Sequence, residues 1–326
     1  MSRQPLISIA LCTYNGAPFL AKQLDSLLAQ DWENLEIVAV DDGSTDGTRD
    51  ILMDYLSRDK RISVYFNEKN LGFLLNFEKA LTLTKGAFIA PCDQDDWWCP
   101  TKLKGLHDAI GDHALAYCDS LFMSADGRSL EKRASDVLNM YQGHDPAAFV
   151  FSNCISGHAM LIRRSLMERA LPFPAGCFHD WWLAFVAVST EGVVFVPEPW
   201  VHYRQHAAAQ TDLSGRSRQQ RPQVLRLLEL SRRRDLISAM ADYPSSHRPY
   251  FKALLAAWDD WQESWMAPRL VSLLLQRRDS LYFINLRASK RPIMRALRFL
   301  WGLKLKRLLN PRRYGHGPKL DTSPMG

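Results

Sequence analysis

The stretch FIAPCDQDDWWCP, residues 88–100, is decisive for the fold because it joins an apolar strand pattern to concentrated negative charge. Residues 88–90 predict a buried strand, and three carboxylates follow it: Asp93, Asp95 and Asp96. Such charge is costly at a strand end unless a cation offsets it. Mg²⁺ and Mn²⁺ prefer these oxygen ligands, usually completed by substrate phosphates. An Asp-rich turn that caps a helix at Thr101 is the alternative interpretation.

The residues before this stretch alternate strand and helix patterns. LISIALC (6–12), LEIVAV (35–40) and ISVYF (62–66) are strand-like, and leucines at helical spacing lie between them. This βαβα order predicts an α/β fold with a doubly wound, mainly parallel central sheet. Right-handed crossovers would bring the carboxyl ends of the strands to one edge, where such sheets bind ligands.

Composition indicates a folded protein without a membrane span. Of the 326 residues, 47% are hydrophobic and 23% are charged, which is ordinary for a globular chain. No run approaches the roughly 18 apolar residues that a spanning helix needs. The start of the chain lacks a signal-peptide pattern, and the six cysteines show no metal-knuckle spacing. We therefore expect a cytoplasmic protein with reduced thiols.

Charge divides the chain into two regions. Residues 216–326 hold 23 Lys and Arg against eight Asp and Glu, whereas residues 1–215 hold 18 against 27. The acidic front could hold a cation, and the basic tail could meet an anionic surface. We therefore predict a catalytic domain over 1–215 and a basic helical C-terminal region over 216–326.

The basic region contains an amphipathic pattern. Residues 280–320 include eleven Lys or Arg and no Asp or Glu. Apolar residues recur at helical spacing within RPIMRALRFLWGLKLKRLL, residues 291–309. Such a helix can lie on the anionic surface of an inner membrane, which would make the protein peripheral. Packing of this helix against the catalytic domain is an equal alternative, and no nucleic-acid-binding module is recognised.

The turn VDDGSTDGT, residues 40–48, follows the second strand. It lacks the glycine patterns of dinucleotide-binding and phosphate-binding loops. Its paired carboxylates, Asp41 and Asp42, could accept the imide N–H of uracil or thymine, or bind ribose hydroxyls. A capped helix start explains the same residues equally well.

Two later motifs carry further candidates. In CFHDWWLAF (177–185), Asp180 lies among aromatic residues, which should raise its pKa and suit a general base; a helix N-cap is the alternative. VVFVPEPWVHYRQH (193–206) predicts a strand and a turn. In its last part, WVHYRQH (200–206), Arg204 could neutralise a diphosphate and His206 could complete a metal site. Lone histidines are more often structural.

These motifs, taken in order, resemble the family 2 glycosyltransferases. The resemblance covers SIALCTYNG, VAVDDGSTDGT, NLGFLLNFEKAL, DQDDWW, GHAMLIRR and HDWWL…YRQH, within residues 5–210. DQDDWW and YRQH are most similar to the bacterial rhamnosyltransferase branch. The resemblance implies an A-type glycosyltransferase fold, Rossmann-like, followed here by the basic helical extension. It also implies a nucleotide-diphosphate sugar donor, a divalent cation (Mn²⁺ or Mg²⁺) and inversion at the anomeric carbon.

The resemblance also assigns roles to individual residues. Nucleotide and donor contacts fall on Thr13, Tyr14, Asn15, Asp41 or Asp42, Asp93 and Arg204. The metal falls to Asp93, Asp95 and His206, and the catalytic base is Asp180. Substrate-pocket residues are Trp97, Trp98, Gly157, His158, His179 and Trp181.

The implied reaction transfers a sugar to a cell-envelope glycan or a lipid-linked acceptor, with dTDP-L-rhamnose as the leading donor. One departure bears on the donor: the rhamnosyl branch often has Asn and Gly after the histidine, where this chain reads AAAQTD. UDP-galactose or UDP-N-acetylglucosamine is the alternative donor. A sugar-phosphate nucleotidyltransferase would carry a Gly-rich N-terminal loop, which ALCTYNGAPFL lacks. A catalytically silent scaffold is the non-enzymatic alternative.

Overall fold

The computed structural model of the chain describes residues 4–206 and 223–310. The strands are β1 (Ile7–Thr13), β2 (Leu35–Asp41), β3 (Ile62–Phe66), β4 (Phe88–Cys92), β5 (Trp97–Trp98), β6 (Leu115–Ser124), β7 (Ser129–Arg133), β8 (Met160–Arg163) and β9 (Val193–Gln205). The helices before the gap are α1 (Ala17–Leu28), α2 (Thr48–Arg58), α3 (Phe73–Leu83), α4 (Lys102–Ile110), α5 (Arg164–Ala170) and α6 (His179–Val188). Those after it are α7 (Gln223–Asp242), α8 (Arg248–Glu263), α9 (Pro268–Gln276), α10 (Arg278–Leu281), α11 (Leu286–Ser289), α12 (Pro292–Leu297) and α13 (Leu303–Leu309).

The strands form one mixed sheet in the order β3-β2-β1-β4-β8-β6-β9-β5, with β7 on β6. The first four neighbours are parallel, as the βαβα pattern predicts. β8 runs antiparallel to both of its neighbours, whereas β6 and β9 pair in parallel. The carboxyl ends of β1 and β2 meet in register at Thr13 and Asp41, and β4 ends beside β1 at Cys92. The candidate site residues therefore gather at this edge.

Two apolar layers cover the two faces of the sheet. Along β1, Ile7, Ile9 and Leu11 pack in one layer, and Ala10 and Cys12 pack in the other. This alternation follows from the two-residue period of a strand. Helices α1, α2 and α4 cover the first layer, and α3, α5 and α6 cover the second. The continuous apolar runs in the sequence reflect this burial on both faces.

The C-terminal helices add to the second layer. Leu236 of α7, Trp258 of α8 and Leu303 of α13 belong to the same buried cluster as Ala10 of β1. The predicted boundary between residues 215 and 216 lies outside the described residues, so the division into two regions stays a prediction. Within the described ranges, every helix is too short or too polar to cross a bilayer.

The structure corrects two local predictions. Residues 291–309 do not form one helix, because α12 ends at Leu297 and α13 begins at Leu303. The apolar residues of the expected helix do not share one environment: Ala296 and Leu303 are buried, whereas Met294 and Leu308 are exposed. Residues 193–206 were expected to be a strand and a turn, but β9 continues to Gln205 with a register shift opposite β6. All six cysteines are free thiols, as expected.

Candidate active site

Three carboxylates follow β4, and two histidines pair with them. His158 Nδ1 lies 3.3 Å from Asp96 Oδ2 and 3.7 Å from Asp93 Oδ2. His206 Nε2 lies 2.9 Å from Asp95 Oδ2. The side chains of Asp96 and His158 are almost fully buried, whereas that of Asp93 is 43% exposed. Asp96 and His158 therefore form the buried part of this cluster, and Asp93 forms its accessible part.

The cluster differs in detail from the predicted metal set of Asp93, Asp95 and His206. Among the described residues, Asp93, Asp96 and His158 offer ligand atoms that all lie within 4.8 Å of one another. Asp95 and His206 form a second pair beside them. In the sequence, Asp96 is one of the three carboxylates after the strand, but the predicted metal set leaves it out. The buried Oδ2 of Asp96 has no hydrogen-bond partner among the described atoms, so this donor set fits a divalent cation.

Electrostatics within the cluster separates the buried carboxylate of Asp96 from the more accessible carboxylate of Asp93. The pKa of Asp96 is raised to about 7, chiefly by burial and in addition by the charges of Asp95 and Asp93, against the opposing effect of His158. Desolvation also opposes charge on Asp93, but the nearby His158 and its positive charge hold the pKa of Asp93 below its usual value. The pKa of His158 is correspondingly raised, because Asp96 and Asp93 outweigh the effect of burial. Protonation of His158 would offset part of the negative charge, whereas metal binding would require its neutral form.

Asp180 stands in the first turn of α6, and Phe178 is the N-cap of that helix. The N-cap interpretation of Asp180 is therefore wrong. Its Oδ1 accepts a hydrogen bond of 2.7 Å from the backbone N–H of Trp181. Burial raises the pKa of Asp180 to about 7, and the negative charge of Asp93 adds to this shift. The pKa of Asp180 is therefore near neutrality, and the charges of Asp93 and His158 contribute to it.

His179 packs between aromatic and glycine neighbours without polar partners. Its ring stacks on Phe77 at 3.8 Å between centroids. Among the described atoms, neither ring nitrogen has a hydrogen-bond partner. Burial lowers the pKa of His179 to about 4, so the ring is neutral at physiological pH. A methyl group placed on Gly157 would lie 2.6 Å from His179 Nε2, which explains why the smallest residue is needed there.

The two aspartates after β2 are not equivalent. Asp41 accepts four hydrogen bonds, from the Thr13 hydroxyl, the Ser44 N–H, the Ser44 hydroxyl and Arg49 Nε. A carboxylate offers about four acceptor positions, so Asp41 is saturated.

Asp42 retains spare capacity. It accepts three hydrogen bonds, from Asn67 Nδ2 and from the N–H groups of Leu71 and Gly72. Only one of the three reaches Oδ2. The structure thus distinguishes two residues that the sequence left as alternatives, because one carboxylate can still accept a bond from a ligand.

The end of β1 supports this edge through backbone contacts. Tyr14 is 49% exposed, and it exchanges two hydrogen bonds with the side-chain amide of Gln94, of 2.8 and 2.9 Å. Asn15 adopts a φ of +48°, and its Oδ1 accepts from the N–H of Thr45 at 2.9 Å. Thr13 is buried against Asp41. Sequence reasoning missed Gln94, which ties the acidic motif to β1.

Arg204 is 4% exposed and already bonded within the protein. Its Nε donates to the carbonyl of Asp95 at 2.7 Å, and its Nη1 donates to the carbonyl of Ala125 at 2.9 Å. Its backbone N–H donates to Asp96 Oδ1 at 2.9 Å. The guanidinium also lies 4.9 Å from the ring centre of Phe19. These contacts make Arg204 a support for the acidic loop.

The tryptophans after the acidic motif occupy different environments. Trp97 is half-buried, with its ring centroid 4.8 Å from that of His202. Trp98 has no exposed surface, so a substrate could reach it only after a rearrangement. Lys102, which sequence reasoning missed, lies buried over the Trp98 ring and donates to the His158 carbonyl at 2.6 Å. Burial lowers the pKa of Lys102 to about 7.

Trp181 is held from two sides. Its Nε1 donates a hydrogen bond of 2.6 Å to the carbonyl of Phe149. The guanidinium of Arg233, from α7, lies 4.9 Å from the centre of its ring. Arg233 also donates to the carbonyls of Val150 and Phe151. The helix that carries Asp180 is therefore braced by the C-terminal region.

Solved structures share this architecture. Staphylococcus aureus TarS 1–349, crystallised with UDP-GlcNAc, superposes with a TM-score of 0.54 at 16% identity, over 97% of this chain and 95% of that one. The mannosyltransferase PcManGT from Pyrobaculum calidifontis, in complex with GDP-Man and Mn²⁺, gives a TM-score of 0.53 at 18% identity, over 96% and 83%. The chain therefore has the A-type glycosyltransferase fold that the sequence predicts.

Sequence comparison gives the family. A glycosyltransferase of Haemophilus influenzae, uncharacterised, is 38% identical over 63% of this chain and 67% of its own length. TuaG and EpsH of Bacillus subtilis, both named as glycosyltransferases, are 35% and 30% identical. The alignments span only 52% and 62% of the lengths of these two relatives. The family model described as glycosyl transferase family 2 matches residues 8–171, and the chain belongs to that family.

Proposed function

We propose that this protein is an inverting, metal-dependent glycosyltransferase that uses a nucleoside-diphosphate sugar. The observation that carries the proposal is the pairing of Asp180, whose pKa is about 7, with a histidine-bonded acidic cluster that it senses electrostatically. A single displacement at the anomeric carbon needs one base on the acceptor side and charge stabilisation on the leaving-group side. Asp180 would provide the base, and the acidic cluster with its cation would provide the charge stabilisation.

Asp180 would act as the base. Near neutral pH a substantial fraction of its carboxyl groups is ionised, because the raised pKa is close to the ambient pH. It would accept the proton of the acceptor hydroxyl as that oxygen attacks from the face opposite the nucleotide. The neutral ring of His179 would lie beside it in the substrate pocket, with Gly157 leaving room.

Asp93, Asp96 and His158, together with the pair Asp95 and His206, would hold the divalent cation. When bound, Mn²⁺ or Mg²⁺ would supply positive charge for the departing nucleoside diphosphate. Arg204 would contribute indirectly by fixing the carbonyl of Asp95. A contact between its guanidinium and the diphosphate would be a second, direct contribution. Carboxylate-rich sites of this kind usually complete their coordination with substrate phosphates.

Asp42 would recognise the pyrimidine. It retains an acceptor position that Asp41 lacks, and an imide N–H is the group that uracil and thymine present to such an acceptor. Thr13, Tyr14 and Asn15 would line the same end of the sheet. We retain dTDP-L-rhamnose as the leading donor from the forms of DQDDWW and YRQH. A UDP-galactose or UDP-N-acetylglucosamine type donor is the alternative.

The acceptor would be a cell-envelope glycan, free or carried on a lipid. Trp97 and Trp181 flank the acidic cluster and the base, and aromatic faces suit the apolar faces of sugar rings. A lipid-linked acceptor would be consistent with a cytoplasmic enzyme peripheral to the inner membrane. AAAQTD, the segment that departs from the rhamnosyl pattern, lies outside the described residues.

Thermal unfolding with dTDP, UDP and GDP, each with and without Mn²⁺ or Mg²⁺, tests the donor site. A nucleotide at about a hundred times its dissociation constant should stabilise the protein by roughly 2.7 kcal/mol. A metal-dependent shift larger for dTDP than for UDP would support the rhamnosyl donor. A preference for UDP would keep the mechanism and change the sugar. Absence of any shift would contradict the proposal and favour the silent scaffold.

A further inference from the structure

Two surface loops of the C-terminal region are paired by backbone hydrogen bonds. The N–H of Ala267 donates to the carbonyl of Leu300 at 2.9 Å, and the N–H of Gly302 donates to the carbonyl of Trp265 at 2.9 Å. Met266 and Trp301 form an antiparallel bridge between them. A side chain at Gly302 would collide with Ser264. The two loops are therefore held together rigidly.

This pairing presents large apolar side chains at the surface. Trp265, Met266 and Trp301 are 49%, 51% and 50% exposed, and we call them the loop-pair patch. Burial of this much apolar surface would be favourable, so its exposure at rigid positions calls for an explanation. The next elements add exposed apolar residues, among them Ile293 and Met294 of α12 and Leu308 and Leu309 of α13.

The segment that carries Trp301 bears charge of one sign, whereas Glu263 is exposed two residues before Trp265. Residues 280–310 contain eight Lys or Arg and no Asp or Glu. Lys304 lies 5.5 Å from the ring centre of Trp265. Within the described part of the chain, Arg287, Arg295 and Arg298 have no carboxylate within ion-pair distance. The preferred partner is therefore negatively charged and can also accept tryptophan and methionine side chains.

We propose that the loop-pair patch docks on the surface of an anionic phospholipid bilayer. Tryptophan rings favour the boundary between lipid headgroups and acyl chains, and each basic residue near such a surface adds an attraction. A second copy of the chain fits less well, because its own basic residues would be brought against these. Nucleic acid would use the charge but leave the apolar patch without a partner.

Sedimentation of the full chain with vesicles tests the proposal. We expect binding to vesicles of 70% phosphatidylcholine and 30% phosphatidylglycerol, and little binding to phosphatidylcholine alone; these percentages are about those of a moderately anionic membrane. Added salt should weaken the binding because it screens the charges. The assay contains no sugar donor, so its result does not depend on the proposed reaction.

Matched substitutions separate the patch from the rest of the surface. Met266→Ser should reduce vesicle binding severalfold, whereas Met53→Ser, at a site that is 49% exposed on α2, should not. Lys304→Glu should reduce binding by roughly tenfold, and Lys60→Glu, at an exposed site on the front half, should leave it unchanged. Trp265→Ser should act like Met266→Ser. Each variant is first checked for an unchanged unfolding temperature. If Trp265→Ser does not fold, Met266→Ser and Lys304→Glu still test the loop-pair patch.

Four results would overturn the proposal. Equal binding to both kinds of vesicle would show that binding does not need anionic lipid. Equal losses of vesicle binding in the patch and control variants would show that binding does not depend on the loop-pair patch. Self-association that Trp265→Ser disperses, without vesicle binding, would make the patch an interface between copies of the chain. Displacement of the protein from vesicles by DNA, with Met266→Ser unchanged, would assign the surface to nucleic acid.

Discussion

At the scale of single residues, the site depends on how burial changes the protonation of its carboxyl groups. Asp180 and Asp96 both have a pKa of about 7 because burial disfavours their charged forms. Asp93 has a lowered pKa because His158 pairs with it. The same residue type therefore has two behaviours within one site. Asp93 stays charged near neutral pH, whereas Asp180 can take up and release a proton.

Replacing Asp180 tests the base and its environment together. Asp180→Asn should abolish sugar transfer while leaving the thermal shift with nucleotide intact, because the side chain is proposed to contact the acceptor. In the unmodified protein, kcat/KM should rise with pH through about 7 as Asp180 ionises. Full transfer activity in Asp180→Asn would rule out this residue as the base.

The same variant has a predicted effect on stability. The folded-state pKa of Asp180 is raised above its ordinary 3.8 to about 7, so the folded state prefers the protonated form. Ionisation therefore destabilises the fold as pH rises from about 4 to 7. Because Asn resembles the neutral acid, Asp180→Asn should increase the free energy of unfolding above pH 7 by about 1–4 kcal/mol, and not below pH 4. Exposed Asp112→Asn is the control, and denaturant titrations at pH 4 and pH 8 measure the difference.

Gly157 provides a second test at this scale. A methyl group there would lie 2.6 Å from His179 Nε2, and the ring cannot move freely because it stacks on Phe77. Gly157→Ala should therefore destabilise the protein by about 1–3 kcal/mol. In the His179→Ala background the cost should fall by about 1 kcal/mol or more, which a double-mutant cycle measures. Additive effects would contradict this contact.

At the scale of elements, α6 depends on a contact from the C-terminal region. Arg233 of α7 bonds the carbonyls of Val150 and Phe151 and lies over Trp181, the neighbour of Asp180. Burial lowers the pKa of Arg233 to about 10, still well above neutrality. The guanidinium thus remains charged while its described hydrogen bonds go to backbone carbonyls. Its position fixes the first turn of α6 from outside the sheet.

Arg233→Met should lower the unfolding free energy by about 1–3 kcal/mol, because two buried carbonyls lose their donor. It should also lower kcat for transfer more than it changes the KM for the nucleotide sugar, because the donor end of the sheet lies elsewhere. Exposed Arg232→Met on the same helix is the matched control. Steady-state kinetics and denaturant unfolding distinguish the two effects. Equal behaviour of the two variants would show that the brace is unimportant.

At the scale of the whole molecule, the C-terminal helices share a core with the sheet. Phe151 stacks on Tyr282 with centroids 5.4 Å apart and lies 6.0 Å from Phe299. Buried Trp258 and Trp261 continue this cluster. The charge asymmetry separates two regions in sequence, but the described apolar contacts join them. Stability should therefore be a property of both regions together.

Calorimetry can measure that coupling. We expect the full chain to unfold in one transition, with the calorimetric enthalpy close to the van't Hoff enthalpy. Trp258→Ala should lower the temperature of the whole transition, because a fully buried aromatic side chain contributes about 3–5 kcal/mol. Two separate transitions, with only one of them moved by Trp258→Ala, would show that the C-terminal region unfolds independently.

The sequence by itself determined the strands of the parallel half of the sheet and the motifs that supply the candidate site residues. Continuous apolar runs identify the buried strands of β1 and β2, and the residues that follow them belong to one sheet edge because parallel strands align their carboxyl ends. DQDD and HDWW identify the acidic cluster and Asp180 because charged groups beside apolar runs are costly unless they have a function. These signals are local in the chain, so they can be read without three-dimensional information.

The tertiary structure alone decided which of these residues meet. His158 lies 62 positions from Asp96 in the chain, and no local pattern could pair them. The different hydrogen bonding of Asp41 and Asp42 comes from Arg49, Asn67 and Gly72, which lie in later segments of the chain. The break between α12 and α13 follows from the pairing of their loop with residues 264–267. Contacts between distant segments fix each of these features. The periodicity of helices and strands does not predict such contacts.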